Sequence, residues 1–410
     1  MIFKRMREQI LDKAIRGLLV PQLAEDGVVD QIGPAPSEVP FEIPEPWKWI
    51  SAKNVFELIS GRDLEKKDIS ESLTNDSQIP YITGASQIIN EEIVVNRWTS
   101  VASVYSYLDD LLLTCKGTVG KTAINKIGNI HIARQIMALR PNKETVILEY
   151  LKIYIDFISQ QLSNEAKSMI PGISRPTILN RFIPIPPLEE QKRIAAKIES
   201  LFDEIDRAEK AYEELQSLAN VLRGQILQKA IQGKLVPQQP EDGVVEQIGD
   251  APAEVPFEIP ESWKWLKIKE ICILQSGKFI KSSEISVSGL YPCYGANGVR
   301  GGVDKYNYDG DYILIGRVGA CGNIHIANGK FYVTDNAIVA GFKKDLIDQK
   351  FLALSLTAMN LKKLASATAQ PLITSTKIEN LILSLPPLAE QKRIVAKVET
   401  LFEQIDLMTK

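Results

Sequence analysis

The stretch PPLEEQKRIAAKIESLFDEID at residues 186–206 returns almost unchanged as PPLAEQKRIVAKVETLFEQID at residues 386–406, 200 positions later. The two prolines at its start favour a helix entrance, because proline needs no N–H partner in the first turn of a helix. Apolar residues then follow at spacings of three and four, the pattern of one buried helix face. The chain therefore contains two copies of the start of one long helix.

A second repeat lies ahead of each helix start. VPQLAEDGVVDQIGPAPSEVPFEIPEPWKW at residues 20–49 returns as VPQQPEDGVVEQIGDAPAEVPFEIPESWKW at residues 236–265, 216 positions later. Residues 1–19 then correspond to residues 217–235, and residues 386–410 correspond to the start of the central helix. The repeat is circular, because the two ends of the chain together match what the middle carries whole.

The central helix carries an apolar seam at alternating spacings of four and three, which predicts a coiled coil. The seam residues are Ile194, Ile198, Leu201, Ile205, Ala208, Tyr212, Leu215, Ala219, Leu222 and Ile226. Gly233 and Pro237 predict its end, so residues 190–234 would span roughly 65 Å. We predict that the N-terminal helix follows the C-terminal helix in space and that both pack antiparallel on the central helix. In the alternative, each terminal helix packs on its own neighbouring segment.

Two dissimilar segments, A (residues 50–183) and B (residues 266–383), lie between the repeats. In segment B, DGDYILIGRVGACGNIHIA and GKFYVTDNAIVAGF combine β-branched and aromatic residues with Gly, Asn and Asp turns, which predicts strands. LDDLLLTCKGTVGKTAI and GNIHIARQIMALRP occupy the corresponding places in segment A. The two segments are therefore predicted to share a fold, with helical stretches at residues 146–163 and 346–364.

Composition describes an ordinary globular protein. The chain has 410 residues, 45% of them hydrophobic, which is enough for two or three domains. The N-terminus has neither a continuous apolar run nor a cleavage site, and no stretch approaches about 18 apolar residues, which argues against secretion and membrane insertion. The four cysteines form no C-x-x-C pair, which argues against structural zinc and disulfides and predicts a cytoplasmic location.

The charge is unevenly distributed along the chain. The net charge is −3, yet residues 21–46 carry six acids and no base, and residues 237–262 carry seven acids. Residues 266–383 carry fourteen Lys and Arg against nine acids, whereas residues 50–180 are balanced. Because the acidity lies in two linker-like stretches, the net charge does not exclude nucleic acid as a partner of the segments between them.

Aromatic residues mark the entrance to both segments. Trp47 and Trp49 return as Trp263 and Trp265, each pair at a spacing of two after a proline-rich stretch. Alternate residues of a strand face the same side, so each pair is predicted to pack in a domain core.

The chain resembles the DNA-specificity subunits of type I restriction-modification enzymes. The resemblance lies in two divergent segments that each run into PPL-x-EQKRI and a long helix, in the W-K-W entrance, and in the pattern YGANGVRGGVDKY…GDYILIGRVGACG. It covers nearly the whole chain. It implies an α+β fold with two β-rich target-recognition domains separated by two long antiparallel coiled-coil helices in a circular, pseudo-two-fold repeat. The expected domains are an N-terminal helix at 1–19, recognition domains with entrance linkers at 20–183 and 236–383, a central helix at 184–235 and a distal helix at 384–410.

The resemblance also implies partners. Each domain would recognise one half of a bipartite site in double-stranded DNA, the helices would set the spacing, and two adenine-methyltransferase subunits would dock beside the helices. S-adenosylmethionine is expected in the methyltransferase partners, and ATP and Mg²⁺ in nuclease-translocase subunits that join for cleavage. No cofactor and no metal is expected in this chain. Self-association of the isolated chain through exposed helix faces stays open.

Candidate DNA-binding residues lie in glycine-rich turns and basic loops. Glycine lets backbone N–H groups approach phosphate, arginine can bind guanine through two hydrogen bonds, and asparagine can bind adenine in the same way. The candidates in segment B are Lys278, Lys281, Tyr294, Asn297, Arg300, Lys305, Arg317 and Asn336, of which the first two are assigned to phosphates. The candidates at the matching places in segment A are Tyr81, Ser86, Gln87, Arg97, Lys116, Lys121, Arg134 and Gln135. The alternative is that these turns are structural hairpins with solvated side chains.

The sequence carries no recognisable catalytic motif. It lacks N-P-P-[FY], a glycine-rich cofactor loop after a strand, a Walker pair and a carboxylate-lysine nuclease cluster. CKGTVGKT departs from a phosphate-binding loop, because Cys115 stands where that loop needs glycine. A non-catalytic DNA-recognition subunit is therefore favoured over a scaffold whose β-domains bind proteins and over a self-sufficient DNA-modifying enzyme.

Overall fold

The computed structural model describes residues 2–165, 172–366 and 371–409. The chain divides into two compact units, unit 1 (Met1–Lys210) and unit 2 (Ala211–Lys410). Each unit runs from a helix through an extended linker and a β-rich segment into a second helix. The circular repeat expected from the sequence is therefore confirmed.

Unit 1 combines helices with short strands. Its helices are α1 (Ile2–Ile15), α2 (Ala52–Val55), α3 (Leu148–Glu165), α4 (Arg175–Leu179) and the first part of α5 (Leu188–Ile231). Its strands are β1 (Lys48–Ser51), β2 (Phe56–Ser60), β3 (Ile79–Ile82), β4 (Ile88–Ile89), β5 (Glu92–Ile93), β6 (Trp98–Thr99), β7 (Tyr105–Ser106), β8 (Leu111–Thr114), β9 (Thr122–Ile124), β10 (Ile130–Ile132), β11 (Ile136–Pro141) and β12 (Phe182–Ile185).

Unit 2 repeats the arrangement after the second part of α5. Its further helices are α6 (Ile268–Ile271), α7 (Gln349–Ala358), α8 (Ser375–Glu379) and α9 (Leu388–Met408). Its strands are β13 (Lys264–Lys267), β14 (Cys272–Ser276), β15 (Tyr291–Gly295), β16 (Gly298–Val303), β17 (Tyr308–Asp309), β18 (Tyr312–Gly316), β19 (Ile324–Ala327), β20 (Lys330–Val333), β21 (Ala337–Phe342) and β22 (Ile382–Leu385).

The sheets of the two units have the same topology. Unit 1 has four-stranded sheets in the orders β2-β11-β8-β9 and β6-β3-β10-β7, and unit 2 has the corresponding orders β14-β21-β18-β19 and β16-β15-β20-β17. The pairs β3–β10 and β15–β20 are parallel, and the other pairs in these sheets are antiparallel. The strands predicted from the four β-rich stretches are all present. Segments A and B therefore share a fold despite their dissimilar sequences.

Each unit has a main core that joins its helices to its β-segment. In unit 1 this core contains Ile15 of α1, Trp47, Tyr150 of α3 and Ile194 of α5. In unit 2 it contains the corresponding Ile231, Trp263, Phe351 and Ile394. Burying one such side chain stabilises a fold by about 1.5–3 kcal/mol. The predicted burial of the entrance tryptophans is confirmed for Trp47, Trp49 and Trp263, while Trp265 is partly exposed.

An antiparallel helix pair runs along one side of each unit. In unit 1, Arg7 of α1 forms ion pairs with Asp206 and Glu209 of α5. In unit 2, Arg223 of α5 pairs with Asp406 of α9. The terminal helices also contact their own segments, through α3 and α7. Antiparallel packing on the central helix is therefore confirmed within each unit. Each terminal helix also packs on its own neighbouring segment, so both packing modes are present. That the N-terminal helix follows the C-terminal helix in space stays a prediction.

The seam of α5 is buried at both ends and exposed in its middle. Ile194, Ile198 and Ile205 are buried in unit 1, whereas Tyr212 in unit 2 is 42% exposed. The helix ends at Ile231 rather than Lys234, because Gly233 adopts φ +71°, where a Cβ would lie 2.4 Å from Pro260 Cγ. Over the described residues, no helix has both the length and the apolar composition to cross a membrane.

The helix predicted at residues 346–364 is shorter than expected. Asp348 caps α7 by accepting hydrogen bonds from the amides of Lys350 and Phe351. The α-helix ends at Ala358, and the left-handed conformation of Asn360 (φ 50°) separates it from a 3₁₀ turn at Leu361–Leu364. The predicted helical stretch is therefore present as an α-helix followed by a separate 3₁₀ turn.

The two repeated stretches contact each other at a joint between linker, β-segment and helix. Trp47 donates its indole N–H to Glu190 Oε2 at 3.0 Å, and Gln22 donates to Glu190 Oε1 at 3.0 Å. Arg193 forms a two-pronged ion pair with Asp26, at 2.7 and 2.5 Å. Nearly every side chain of this joint belongs to a repeated motif, which explains why both motifs occur twice.

The same joint is present in unit 2. Trp263 and Gln238 donate to Glu390 at 3.0 and 2.8 Å, and Arg393 pairs with Asp242 at 2.8 and 2.6 Å. Burial raises the pKa of the Glu390 carboxyl, although the bonds from Trp263 and Gln238 oppose that shift. Buried carboxylates are tolerated where their oxygens are hydrogen-bonded. The joint therefore fixes each β-segment on its helix in the same way.

Candidate nucleic-acid interface

Four loops meet at one end of the β-segment of unit 2. They are residues 277–279, 294–297, 316–318 and 333–337, here called loop cluster B. Main-chain hydrogen bonds of 2.8–3.0 Å join them, from Gly277 N to Ala337 O, Lys278 N to Val333 O, Thr334 N to Tyr294 O and Arg317 N to Asn336 O. The cluster is thus a connected main-chain framework rather than four independent turns.

Unit 1 carries the same framework. Its loops are residues 61–63, 82–84, 115–117 and 132–136, here called loop cluster A. The corresponding bonds of 2.8–3.1 Å run from Gly61 N to Ile136 O, Arg62 N to Ile132 O, Ala133 N to Ile82 O and Cys115 N to Gln135 O. These bonds place Arg62 at the position of Lys278, Cys115 at that of Arg317 and Gln135 at that of Asn336. The backbone is conserved between the units while the side chains differ.

A close backbone approach fixes the first loop of each cluster. A Cβ on Gly61 would lie 2.1 Å from the carbonyl oxygen of Ala133, and a Cβ on Gly277 would lie 2.2 Å from that of Thr334. Only glycine fits such an approach. The basic residue that follows each glycine, Arg62 or Lys278, is therefore held at a defined place, and both are exposed.

A buried side chain tethers this loop from beneath in each unit. His131 is fully buried, its Nε2 lies 2.9 Å from Arg62 O, and its Nδ1 accepts from Val104 N at 3.2 Å. Nε2 therefore carries the proton of a neutral ring, and burial lowers the pKa of His131. In unit 2 the corresponding Tyr332 donates its hydroxyl to Phe279 O at 3.2 Å. Burial raises the pKa of Tyr332.

Five of the predicted residues of segment B lie in loop cluster B. Three of them are half-buried, namely Tyr294, Arg317 and Asn336, while Lys278 and Asn297 are exposed. Arg317 donates from Nη1 to Asp335 O at 3.1 Å, and Asn297 Oδ1 accepts from Asn323 at 2.8 Å. Arginine and asparagine side chains anchored on one side can present their remaining donors and acceptors to base edges.

The other three predicted residues of segment B lie beside the cluster. Arg300 is exposed, and its Cδ lies 2.6 Å from where a Cβ of Gly295 would be, so it covers the cluster's edge. Lys305 forms an ion pair of 2.6 Å with Glu284, which lowers the pKa of that carboxyl. The backbone amide of Lys281 also donates to Glu284. The charge of Lys305 is thus partly compensated within the chain.

Two predicted residues of segment A are corrected by their burial. Tyr81 is 2% exposed and its ring packs against His131 with centroids 5.1 Å apart. Gln87 is 1% exposed, accepts from Thr83 N at 2.7 Å and donates to Tyr81 O at 3.2 Å. Because both side chains are inside the unit and already bonded, we assign them to the support of the loop, not to DNA contact.

The remaining candidates of segment A are on the surface or half-buried. Gln135 lies in loop cluster A, and its buried Oε1 has no hydrogen-bond partner among the described residues. Arg134 pairs with Asp63 at 2.7 Å. Lys121 donates to the carbonyls of Ala85 and Ile88 at 3.2 and 3.0 Å, so it caps that turn. Exposed positions among the candidates are Ser86, Arg97, Lys116, Lys121 and Arg134.

Arg62 is a further candidate residue of loop cluster A that was not predicted from the sequence. It is exposed in loop cluster A at the position that Lys278 occupies in loop cluster B. The signal was present in the sequence, because S-G-R at residues 60–62 and S-G-K at residues 276–278 stand 216 positions apart, as the linker repeats do. The chemistry that both clusters offer is donation of hydrogen bonds to base edges and phosphates.

Comparison with known families identifies the class of protein. The model of the type I restriction modification DNA specificity domain matches residues 44–217 and 260–410. These two ranges contain loop clusters A and B. The chain belongs to this family.

Curated relatives agree with this assignment. The type I restriction enzyme EcoprrI specificity subunit of Escherichia coli is 39% identical over 145 residues, which covers 33% of this chain and 36% of that protein. The MjaVIII specificity subunit of Methanocaldococcus jannaschii is 28% identical over 415 residues, covering 90% of this chain and 89% of that protein. The EcoAI specificity subunit of E. coli is 23% identical over 536 residues, covering 98% of this chain and 89% of that protein.

Solved structures share the fold. A chain from a study of complex assembly and conformational transition of the type I R-M system superposes with a TM-score of 0.70 at 21% identity, covering 90% of this chain and 93% of that chain. The HsdS subunit from Thermoanaerobacter tengcongensis superposes with a TM-score of 0.55 at 22% identity and the same coverage. The expected α+β fold with a repeated domain is therefore confirmed.

Proposed function

We propose that this chain is the non-catalytic DNA-specificity subunit of a type I restriction-modification complex. Loop cluster A recognises one half of a bipartite site in double-stranded DNA, and loop cluster B recognises the other half. One observation carries the proposal: the two clusters have the same main-chain framework and present different side chains, such as the exposed Asp63 and Phe279 at one shared position. A shared backbone with divergent side chains is expected of two readers of two different sequences.

The helices provide the spacing and the docking surface in this proposal. The 44 residues of α5 form one continuous helix, roughly 66 Å long. Within unit 2, α5 exposes Leu218, Val221 and Leu222 at 63%, 54% and 41%. Exposed apolar side chains grouped on one helix support a protein partner. Two adenine-methyltransferase subunits dock beside the helices, and the exposed helix faces also allow the isolated chain to self-associate.

The partners supply the chemistry. S-adenosylmethionine binds in the methyltransferase subunits, and nuclease-translocase subunits bring ATP and Mg²⁺ when the complex cleaves DNA in the cytoplasm. This chain contributes sequence recognition alone. Purified chain without partners is expected to transfer no methyl group to DNA, and methyl transfer by the chain alone would overturn the proposal.

Selection from a randomised duplex pool tests the recognition function. The full chain is combined with a type I methyltransferase subunit, and bound duplexes are sequenced. The expected result is a single motif in two parts with a constant gap. A pool without sequence enrichment would instead favour a scaffold that binds proteins.

Two variants test the division of labour. Exchanging residues 52–180 for those of another specificity subunit is expected to change one half of the motif and leave the other half intact. Inserting seven residues into the exposed middle of α5 is expected to change the gap or abolish binding, because the insertion preserves the heptad phase and lengthens the helix by about 10 Å. An unchanged gap with retained binding would contradict a spacing role for the helix.

A further inference from the structure

Phe279 is an exposed aromatic residue in the first loop of cluster B. Its side chain is 73% exposed, although it stands next to Gly277 and Lys278 in a loop that is otherwise polar or buried. Single exposed apolar residues are common on protein surfaces and need no partner. Phe279 is set apart by its position, because it lies within loop cluster B among the polar DNA-binding candidates.

The main chain around Phe279 is held on several sides. Gly277 N donates to Ala337 O at 3.0 Å, Lys278 N donates to Val333 O at 2.9 Å, and the carbonyl of Phe279 accepts from the Tyr332 hydroxyl at 3.2 Å. The ring is therefore presented from a fixed backbone. A fixed apolar group loses little conformational entropy on binding, which favours its use in recognition.

The groups beside Phe279 specify the occupant of this surface. Lys278 directly precedes Phe279. The loop of Phe279 is hydrogen-bonded to Ala337, the residue that follows Asn336, and the carbonyl of Asn336 accepts a hydrogen bond from Arg317 N. The loops joined to that of Phe279 thus carry a cation, an amide and a guanidinium, which match the edge of a DNA base pair flanked by phosphates. The base-edge group that an apolar side chain contacts in the major groove is the C5-methyl group of thymine.

Unit 1 has a charged pair at the corresponding place. Asp63 follows Arg62 as Phe279 follows Lys278, and it pairs with Arg134 at 2.7 Å. The position therefore carries different chemistry in two frameworks with the same backbone. Such divergence at one exposed position is expected of a residue that determines specificity.

We propose that Phe279 is a specificity-determining residue that contacts the C5-methyl group of a thymine in the half-site recognised by unit 2. This inference rests on the proposed function and adds one base preference to it. The contact favours thymine over cytosine and over uracil at a single base pair, because only thymine of the three carries the methyl group. The Asp63–Arg134 pair gives unit 1 no such preference.

Substitution of Phe279 and of the methyl group test the proposal together. The full chain and its Phe279→Ala variant are each combined with the methyltransferase subunit and selected on the randomised duplex pool. At one base pair of one half-site, the variant is expected to lose roughly tenfold in discrimination for thymine. Replacing that thymine with uracil is expected to weaken wild-type binding by a similar factor and to leave the variant unaffected.

Controls separate this contact from a loss of folding or of function. Ile273→Ala removes an apolar side chain of almost equal exposure, 72%, at the start of β14, and is expected to leave the motif unchanged. An unchanged motif for Phe279→Ala, or wild-type binding that ignores the change from thymine to uracil, overturns the inference while the proposed function stands. Absence of any motif for the wild type instead overturns the proposed function.

Discussion

Trp47 donates its indole N–H to Glu190 Oε2 at 3.0 Å, across 143 positions of the sequence, and Trp263 makes the same bond to Glu390. Both carboxylates are 1% exposed. Each bond links the entrance of a β-segment to the first turn of the helix that leaves it. The invariance of the two joints contrasts with the divergence of the loop clusters that they support.

Glu190→Ala is expected to destabilise unit 1 by about 1–3 kcal/mol, because Trp47 and Gln22 lose a buried charged acceptor. Denaturant unfolding followed by tryptophan fluorescence measures the change. Glu189→Ala is the matched control, since Glu189 is exposed and pairs only on the surface with Lys192 at 2.6 Å. An equal effect of both substitutions would show that the buried bond contributes nothing specific.

Arg193→Ala is expected to destabilise unit 1 by about 1 kcal/mol at pH 7. The hydrogen bonds from Arg193 hold the pKa of Asp26 below its ordinary 3.8, so the stabilisation is present above pH 3.8 and is lost as the pH falls through the lowered value. Urea unfolding of the wild type and the variant at pH 7 and pH 3 measures the difference. If the difference in the free energy of unfolding between the wild type and the variant were as large at pH 3 as at pH 7, this role of the ion pair would be contradicted.

His131→Asn is expected to reduce the acid sensitivity of unit 1. Because burial lowers the pKa of His131, the unfolded chain takes up a proton near pH 6.5 before the folded chain does, so stability falls as the pH falls below about 6.5. The melting temperature between pH 7.5 and 5.5 should decline less steeply in the variant than in the wild type. Equal slopes for the wild type and the variant would contradict the prediction.

Arg317→Ala and Lys278→Ala are expected to affect DNA binding differently, the first through sequence specificity and the second through overall affinity. Arg317 is half-buried and anchored on Asp335 O, so its loss should relax specificity at one base pair by about 1–3 kcal/mol. Lys278 is exposed, so its loss should weaken binding to all sequences and reduce the salt dependence by about one counterion. Binding titrations of the complex on matched and mismatched duplexes at several salt concentrations distinguish the two. Uniform weakening by Arg317→Ala would assign that residue to a phosphate instead.

The helices and the repeat were predictable because their signals are long and local. The heptad seam extends over more than four heptads, and the predicted helix at 190–234 differs from the observed Leu188–Ile231 by two or three residues at each end. The glycine at 233 marks the end of the helix in the sequence as well as in the structure. The strands of both segments followed from β-branched runs between turn residues.

Side-chain exposure in the loops was less predictable, because it depends on strand pairing that is distant in sequence. Tyr81 is buried because β3 lies between β6 and β10, which places His131 against its ring. The side chain of Gln87 is already engaged within the chain, because its Oε1 accepts a hydrogen bond from Thr83 N and closes a turn. Arg62 is positioned in loop cluster A by a main-chain hydrogen bond to Ile132, seventy positions away in the sequence. A turn motif alone shows neither which face is outside nor which loop is its neighbour.

The two tethers beneath the loops give the units unequal responses to acid. An imidazole holds the loop of Arg62, and a phenol holds the loop of Phe279. Burial lowers the pKa of His131 below its ordinary 6.5, so the folded imidazole gains a proton at a lower pH than a free histidine does, whereas the phenol of Tyr332, with its raised pKa, keeps its own. Protonation of His131 would release the amide of Val104 and loosen one loop cluster alone. Acidification is therefore expected to loosen loop cluster A before loop cluster B.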